Sequence, residues 1–326
     1  MNILVVGGAG YIGSHMVRYL VDQGVTPVVF DNLSTGHRSA VGEVPLVVGD
    51  LADPAAIAGA LVEHRVDAVM HFASFIQVGE SVTDPSKYYR NNVTNTQNLL
   101  DAMVEHGVRY LVFSSTAAIF GDPEYTPIDE AHPKNPINPY GRTKWMVEQM
   151  LDDYDHAYGL KSVRLRYFNA AGAHPSGDLG ECHEPETHLI PLILQAATGQ
   201  RDRIKIFGRD YPTDDGTCVR DYIHICDLAA AHDLALKQLV QTNETRAYNL
   251  GNGRGFSVQQ VVDIVRDVSG VDFTVEDDER RPGDPAVLVA DARRAHADLG
   301  WQPQYDDLRS IVAHAWAFES ARWRNS

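Results

Sequence analysis

The stretch "NPYGRTK" sets Tyr140 four residues ahead of Lys144, directly after Pro139. Proline suits the first turn of a helix, and residues four apart then share one face. A phenol is a poor base at neutral pH, but a neighbouring ammonium favours the phenolate and turns it into a proton acceptor. Such chemistry needs a hydroxyl to hold the substrate oxygen, and "FSSTAAIFG" offers Ser114, Ser115 and Thr116 at the end of an apolar run.

A second constellation lies at the start of the chain. "GGAGYIGS" follows the apolar run "NILVV" and opens a helical pattern; Gly7, Gly10 and Gly13 read as GxxGxxG, and Gly8, Gly10 and Gly13 as GxGxxG. Both spacings bring backbone N–H groups and a helix N-terminus against a pyrophosphate. Asp31 ends the next apolar run, where a carboxylate accepts from ribose hydroxyls and repels a 2′-phosphate, so NAD is favoured over NADP. Asp50 and Leu51 in "VVGDL" suit an adenine amine and ring. Phe72, Ala73 and Ser74 in "HFAS" fall where ligands bind such sheets. An oxidised nicotinamide adds a second positive charge beside Tyr140, and Lys144 is placed to bind its ribose as well as to lower the tyrosine's pKa.

The elements that position these residues are short β-branched runs alternating with helical segments: "NILVVGG", "TPVVFDN", "VPLVVGD", "VDAVMHFA", "VRYLVFSS" and "LKSVRLRYFN". Continuous rather than alternating apolarity marks strands buried on both faces. The fold class is therefore α/β, a Rossmann-like doubly wound parallel sheet with a smaller mixed α/β C-terminal substrate domain. After Asn169 the rhythm breaks into loops, the helices "LIPLILQAATG", "DLAAAHDLALKQLV" and "SVQQVVDIVRDVSG", and a turn at "NLGNGRG". Residues 1–175 are assigned to the NAD-binding domain and 176–326 to the substrate domain, with parts of 215–250 returning to the first and a cleft between the two. Asp277–Arg280, "DDER", reads as a solvated turn.

The 326 residues carry a formal net charge of −16, which opposes binding to nucleic acid or an anionic membrane. Three widely spaced cysteines, Cys182, Cys218 and Cys226, read as free thiols of a reducing compartment. The N-terminus shows no basic n-region, and its apolar run is too short for a signal peptide or membrane span; a cytoplasmic protein is expected. In "CHEPETH" the positions of Cys182, His183 and His188 match no standard zinc spacing, so no metal is expected and the loop is assigned substrate-contact roles. No paired-carboxylate or Ser/His/Asp hydrolase arrangement accompanies the nucleotide turn.

Together with "FDNLSTGH", "HFASFIQVGESV", "NNVTNTQNLL", "RYFNAAGA", "ETHLIP", "IFGRDYPTDDGTCVRDYIHICDLA" and "YNLGNGRGFSV", these stretches resemble the extended short-chain dehydrogenase/reductase family, and within it the nucleotide-sugar 4-epimerases, along nearly the whole chain. The resemblance implies a redox-neutral inversion by way of a 4-keto sugar, with UDP-glucose and UDP-galactose as the expected pair. UDP-pentoses such as UDP-xylose and UDP-arabinose, or UDP-N-acetylhexosamines, are alternative substrates. A non-catalytic NAD-binding regulator or a net oxidoreductase is a further alternative, which the intact Tyr140/Lys144 pair and a retained cofactor respectively oppose. "FSSTAAIFG" lacks the Asp-Glu pair that 4,6-dehydratases of the family carry after the hydroxyl.

By the same resemblance, Tyr140 is the base, Lys144 tunes it and Thr116 holds the sugar oxygen. Cofactor contacts fall on Gly7, Gly10, Tyr11, Ile12, Gly13, Asp31, Asn32, Asp50, Leu51, Phe72, Ala73, Ser74, Asn91, Ser114 and Tyr167, besides Tyr140 and Lys144. UDP-sugar contacts fall on Asn169, His188, Leu189, Phe207, Arg220, Tyr222, Arg281, Asp284 and Leu288, besides Thr116 and Tyr140. Four positions depart from the family pattern: Thr116 adds a methyl where serine is common, Ile76 replaces a lysine, His188 an asparagine, and Leu288 stands where a residue tied to tolerance of 2-acetamido sugars varies. The resemblance also implies a homodimer built on the helix around "YYRNNVTNTQNLLDAMVEH" and the one beginning near Tyr140.

Overall fold

A computed structural model describes residues 1–281 and 284–324. The six apolar runs form β1 (Ile3–Val6), β2 (Val28–Asp31), β3 (Leu46–Val48), β4 (Ala68–His71), β5 (Tyr110–Thr116) and β6 (Lys161–Tyr167). They build one parallel sheet in the order β6-β5-β4-β1-β2-β3, extended beside β6 by a seventh parallel strand, Arg246–Leu250.

Alternate residues of each strand serve opposite faces. Ile3, Val5, Ala68 and Met70 join a core with Met16 and Leu20 of the first helix and with Leu228, Ala235 and Leu236 of helix Ile225–Thr242. Leu4, Val6, Val69 and Phe113 join the other, with Ile57 and Leu61 of helix Pro54–Glu63, Leu99 and Met103 of helix Asn95–Glu105, and Val147 and Leu151 of helix Pro139–Tyr158. Burying each such side chain contributes about 1.5–3 kcal/mol, which is why the strands carry continuous rather than alternating apolarity.

The remaining chain forms small sheets and helices around a third core. Asn169–Ala171 pairs with Tyr222–His224, and Arg203–Phe207 with Thr274–Asp278. Val219–Arg220 lies between Phe256–Ser257 and Val287–Leu288. Ile190, Ile193 and Leu194 meet Val261, Val262 and Val265, and Leu308, Ile311 and Val312 of a last helix, Leu308–Arg324.

Two readings of the sequence are corrected here. Asn249 and Leu250 of the expected "NLGNGRG" turn are the end of the seventh strand, because Leu250 is buried on the large sheet. Asp277 and Asp278 of the expected solvated turn end a strand, where Arg209 pairs with Asp277 at 2.7 Å and Lys205 with Asp278 at 2.9 Å. Both carboxylates stay solvent-exposed, but each sits on a strand end with a basic partner from the neighbouring strand or the residues just after it.

Candidate active site

β1 and β4 are neighbours whose connections leave in opposite directions along the sheet, which opens a crevice at their carboxyl ends. Gly7 stands there with a φ of 79°, and a Cβ on it would lie 2.5 Å from the Ala73 backbone nitrogen beyond β4. A Cβ on Gly13 would lie 2.1 Å from the Gly7 carbonyl oxygen, so the first helix approaches the turn as only glycine allows. Gly10 caps that helix, Tyr11–Asp22, and a Cβ on it would meet nothing closer than 3.5 Å. The turn thus offers backbone N–H groups and space together, the fit a pyrophosphate requires.

Asp31 is buried at the end of β2, where its two oxygens accept from Ala9 N at 2.9 Å and Leu33 N at 2.8 Å. A carboxylate has about four acceptor positions, so two remain for the hydroxyls of a ribose. Asp50 accepts from Ala52 N at 2.7 Å and from Asn32 Nδ2 at 2.8 Å, which ties the two predicted contacts together beside buried Leu51. A cleft lined by Asp50, Phe75, Lys87, Arg90 and Asn91 adjoins them. Phe72 continues from β4 with its N–H on Val6 O at 2.8 Å and its ring 4.9 Å from that of His232; the Ser74 hydroxyl turns onto Phe75 O at 3.3 Å. Ile12 packs against the core under the turn, and Ile76 is 38% exposed at the position that departs from the family.

The groups expected to react come from β5 and helix Pro139–Tyr158. Asn138 caps that helix by accepting from Gly141 N at 2.8 Å, and a Cβ on Gly141 would lie 2.5 Å from Ala118 O. This close approach holds the helix start against the end of β5, with Tyr140 and Lys144 on the facing side. Lys144 is buried; its Nζ donates to Ser114 O at 2.8 Å and lies 4.9 Å from the Phe113 ring centroid. Ser114 Oγ in turn meets the Tyr167 hydroxyl. Thr116 ends β5, its Oγ1 accepting from Ala118 N at 3.1 Å, and its hydroxyl is near enough to the Tyr140 phenol to favour the phenolate.

Burial pushes the Tyr140 phenol above its usual 10, with the Thr116 hydrogen bond opposing, and burial lowers the Lys144 ammonium to about 7. The Lys144 Nζ is spent on the Ser114 carbonyl, and desolvation governs both groups.

Among the predicted substrate contacts the structure makes local pairs. Asn169 and Tyr222 face each other across two strands, as do Arg220 and Leu288. Arg220 also pairs with Asp284, while the Arg281 guanidinium lies 3.9 Å from the Phe207 ring centroid. His188 is the N-cap of helix Leu189–Ala197, so it stands directly before Leu189. Leu288 packs on the cluster holding Ala117 and Phe120, next to Thr116. Tyr11 reaches away from the turn: its hydroxyl donates to Gly172 O at 2.7 Å.

Three supports escaped the sequence reading. Glu148, one turn beyond Lys144, accepts from Ser115 Oγ at 2.5 Å and from Arg166 Nη2 at 2.6 Å, all three residues being buried. Asn92 accepts from Phe75 N at 2.9 Å and donates to Thr143 Oγ1 at 3.2 Å, joining the loop after β4 to the catalytic helix. Asp221, fully buried, gathers the backbone N–H groups of Asn252, Gly253 and Ala290 at 2.7–3.0 Å. The signal for Glu148 was its spacing, since residues 140, 144 and 148 share a helix face.

This geometry recurs in known proteins. The chain is 51% identical to the UDP-glucose 4-epimerase of Halalkalibacterium halodurans over 97% of its own length and 95% of that protein. It superimposes on the crystal structure of UDP-glucose 4-epimerase from Brucella ovis in complex with NAD with a TM-score of 0.95, at 50% identity and with 98% of both chains covered. Against the enzyme from Stenotrophomonas maltophila, solved with bound NAD and formylated UDP-arabinopyranose, the TM-score is 0.96 at 40% identity over all of both chains. With residues 3–251 matching the family model as well, the chain belongs to the NAD dependent epimerase/dehydratase family.

Proposed function

We propose that this protein is a UDP-glucose 4-epimerase, interconverting UDP-glucose and UDP-galactose with NAD retained in the site. The observation that carries the reading is the meeting of Tyr140, Thr116 and Lys144 at the carboxyl edge of the sheet, beside the glycine turn. The crevice would hold NAD, which when bound would supply a reversible hydride acceptor for C4 of the sugar and a positive charge that favours the Tyr140 phenolate.

The chain's own residues then have distinct tasks. Thr116 Oγ1 accepts from Ala118 N, so its O–H is aimed by the backbone and free to hold the sugar 4-oxygen. The Tyr140 phenolate takes the 4-hydroxyl proton and gives it back after the 4-keto sugar has turned its other face. Lys144, fastened to Ser114 O, binds the nicotinamide ribose and, in its charged form, favours the phenolate. Asn169, His188, Leu189, Phe207, Arg220, Tyr222, Arg281, Asp284 and Leu288 form the UDP-sugar side. Arg220 and Arg281 meet the diphosphate, which a guanidinium fork matches. Gly7, Gly10, Tyr11, Ile12, Gly13, Asp31, Asn32, Asp50, Leu51, Phe72, Ala73, Ser74, Asn91, Ser114 and Tyr167 form the NAD side.

In this reading residues 1–175, with the returning helix and strand of 225–250, hold the cofactor, and the rest of 176–326 holds the UDP-sugar. Two chains assemble through the helices around residues 85–105 and 139–158, whose outer face presents exposed Met146. A cytoplasmic location fits the three free cysteines; no helix among the described residues is long and apolar enough to cross a membrane.

The test incubates the purified protein, without added NAD, with UDP-galactose, UDP-xylose and UDP-N-acetylglucosamine separately, following each anomeric proton by NMR. Conversion of UDP-galactose to UDP-glucose ahead of the others, abolished in Tyr140→Phe, is expected. Absence of conversion with NAD supplied overturns the reading.

A further inference from the structure

The loop "ECHEPETH" does something that its spacing concealed. The sequence reading weighed Cys182, His183 and His188 and expected no metal, but the side chains that converge are Glu181, His183, Glu186 and His188, with one donor atom of each within 4.8 Å of all the others. Cys182 takes no part.

From these four donors the geometry points to a binding site for a divalent first-row transition ion, Zn²⁺ foremost, held by His183 Nδ1, His188 Nδ1, Glu181 Oε1 and Glu186 Oε2. A tetrahedral ion with bonds of about 2.0–2.1 Å sets its ligand atoms about 3.3 Å apart. His183 Nδ1 lies 3.2 Å from Glu181 Oε1 and 3.8 Å from Glu186 Oε2, while His188 Nδ1 is closer still to Glu181. Two imidazoles with two carboxylates suit zinc and its neighbours; magnesium and calcium take six or more oxygens, which this loop does not offer.

Glu186 is placed by the backbone rather than by an imidazole. Glu186 Oε1 accepts from Thr187 N at 2.7 Å and His188 N at 2.9 Å, so the backbone fixes that side chain and turns Oε2 toward His183. The Glu181 and Glu186 side chains are only 5% and 4% exposed, whereas those of His183 and His188 are 22% and 41% exposed. Two buried carboxylates this close require positive charge between them, and a divalent ion bound by neutral imidazoles supplies it.

The location gives the ion a task. The Tyr11 ring packs edge-on against His183 with centroids 6.2 Å apart, and His188 caps helix Leu189–Ala197. An ion here holds rigid the loop of residues 181–188, which packs on Tyr11 of the nucleotide turn and leads into a helix on the UDP-sugar side. Its role is structural, because four protein donors fill a tetrahedral shell and leave no open position.

Full-length protein, stripped with a chelator and returned to metal-free buffer, is titrated with Co²⁺ and, in parallel, with Zn²⁺ and Mg²⁺. The expected result is an intense visible Co²⁺ spectrum of tetrahedral type saturating at about one ion per chain, displaced by Zn²⁺ but not by Mg²⁺. Zn²⁺ raises the melting temperature of the wild type, and Glu186→Gln and His183→Gln each weaken Co²⁺ binding by about tenfold or more. No saturable Co²⁺ spectrum in the wild type, meaning a cluster bridged by protons alone, overturns the assignment, as does undiminished binding in both variants. If either variant fails to fold, the wild-type stoichiometry and Zn²⁺ displacement still decide.

Discussion

Lys144 Nζ donates to the Ser114 carbonyl oxygen at 2.8 Å, a bond between a buried ammonium on the catalytic helix and the last turn of β5, 30 residues earlier. Burial depresses this ammonium from 10.5 to about 7. From pH 7 to 10.5 the unfolded chain therefore holds a proton that the folded chain does not. Stability rises with pH across that window by up to about 1.4 kcal/mol per unit and is flat below it. Lys144→Met removes the slope. Denaturant midpoints of the two proteins from pH 7 to 10 test this; parallel curves would show that the ammonium is not depressed.

The Thr116 hydroxyl opposes the upward push that burial gives the Tyr140 phenol. Thr116→Val keeps the shape and loses the hydroxyl, so kcat falls about 100-fold with KM little changed, while Thr116→Ser stays near the wild type. Tyr140→Phe loses at least about 1,000-fold, as removal of a general base does. Equal kcat for Val and Thr at position 116 would remove Thr116 from the reaction.

Glu148 and Arg166 are 1% and 5% exposed and joined by two parallel hydrogen bonds. Glu148→Ala leaves a buried guanidinium unpaired and costs about 3–5 kcal/mol, whereas the double variant Glu148→Met/Arg166→Met recovers most of that loss. Urea unfolding of the single and double variants measures the coupling; additive losses would contradict it.

Gly13 faces the Gly7 carbonyl so closely that a Cβ would stand 2.1 Å from that oxygen. Gly13→Ala must displace the helix start, at about 1–3 kcal/mol, and about tenfold less dinucleotide should accompany the purified protein. Cofactor released by acid and quantified by chromatography reads the effect. Wild-type occupancy would show that the turn yields without harm to its ligand.

Leu288 packs beside the residues that follow Thr116. Leu288→Ala opens room there, and its rate with UDP-N-acetylglucosamine relative to UDP-galactose is expected to rise by about tenfold, the discrimination a few methylenes confer. An unchanged ratio in the NMR assay places the 2-substituent elsewhere.

What the sequence determined by itself is what short stretches of chain decide. β1, β2, β4 and β5 were legible because double-sided burial demands continuous apolar runs, whereas β3 is an edge strand with Val48 exposed and β6 alternates Val163 and Leu165 with buried Arg164 and Arg166. Gly7 and Gly13 announced the nucleotide turn because a backbone that approaches another so closely admits no Cβ, and Gly10 because it leaves open space at the helix start. Tyr140 and Lys144 were legible as a pair because helix geometry alone puts residues four apart on one face.

Tertiary structure decided whatever depends on which distant segments meet. Lys144 meets the Ser114 carbonyl, 30 residues earlier, because packing of the helix on β5 buries both. Leu250 became a strand residue only because the large sheet leaves an edge beside β6 for it. Glu148 found Arg166, and Glu181 and Glu186 turned in to meet His183 and His188, through backbone placements that residue spacing does not encode. Local periodicity fixes which way a side chain points along its own element; only the packing of elements fixes which charge waits on the other side.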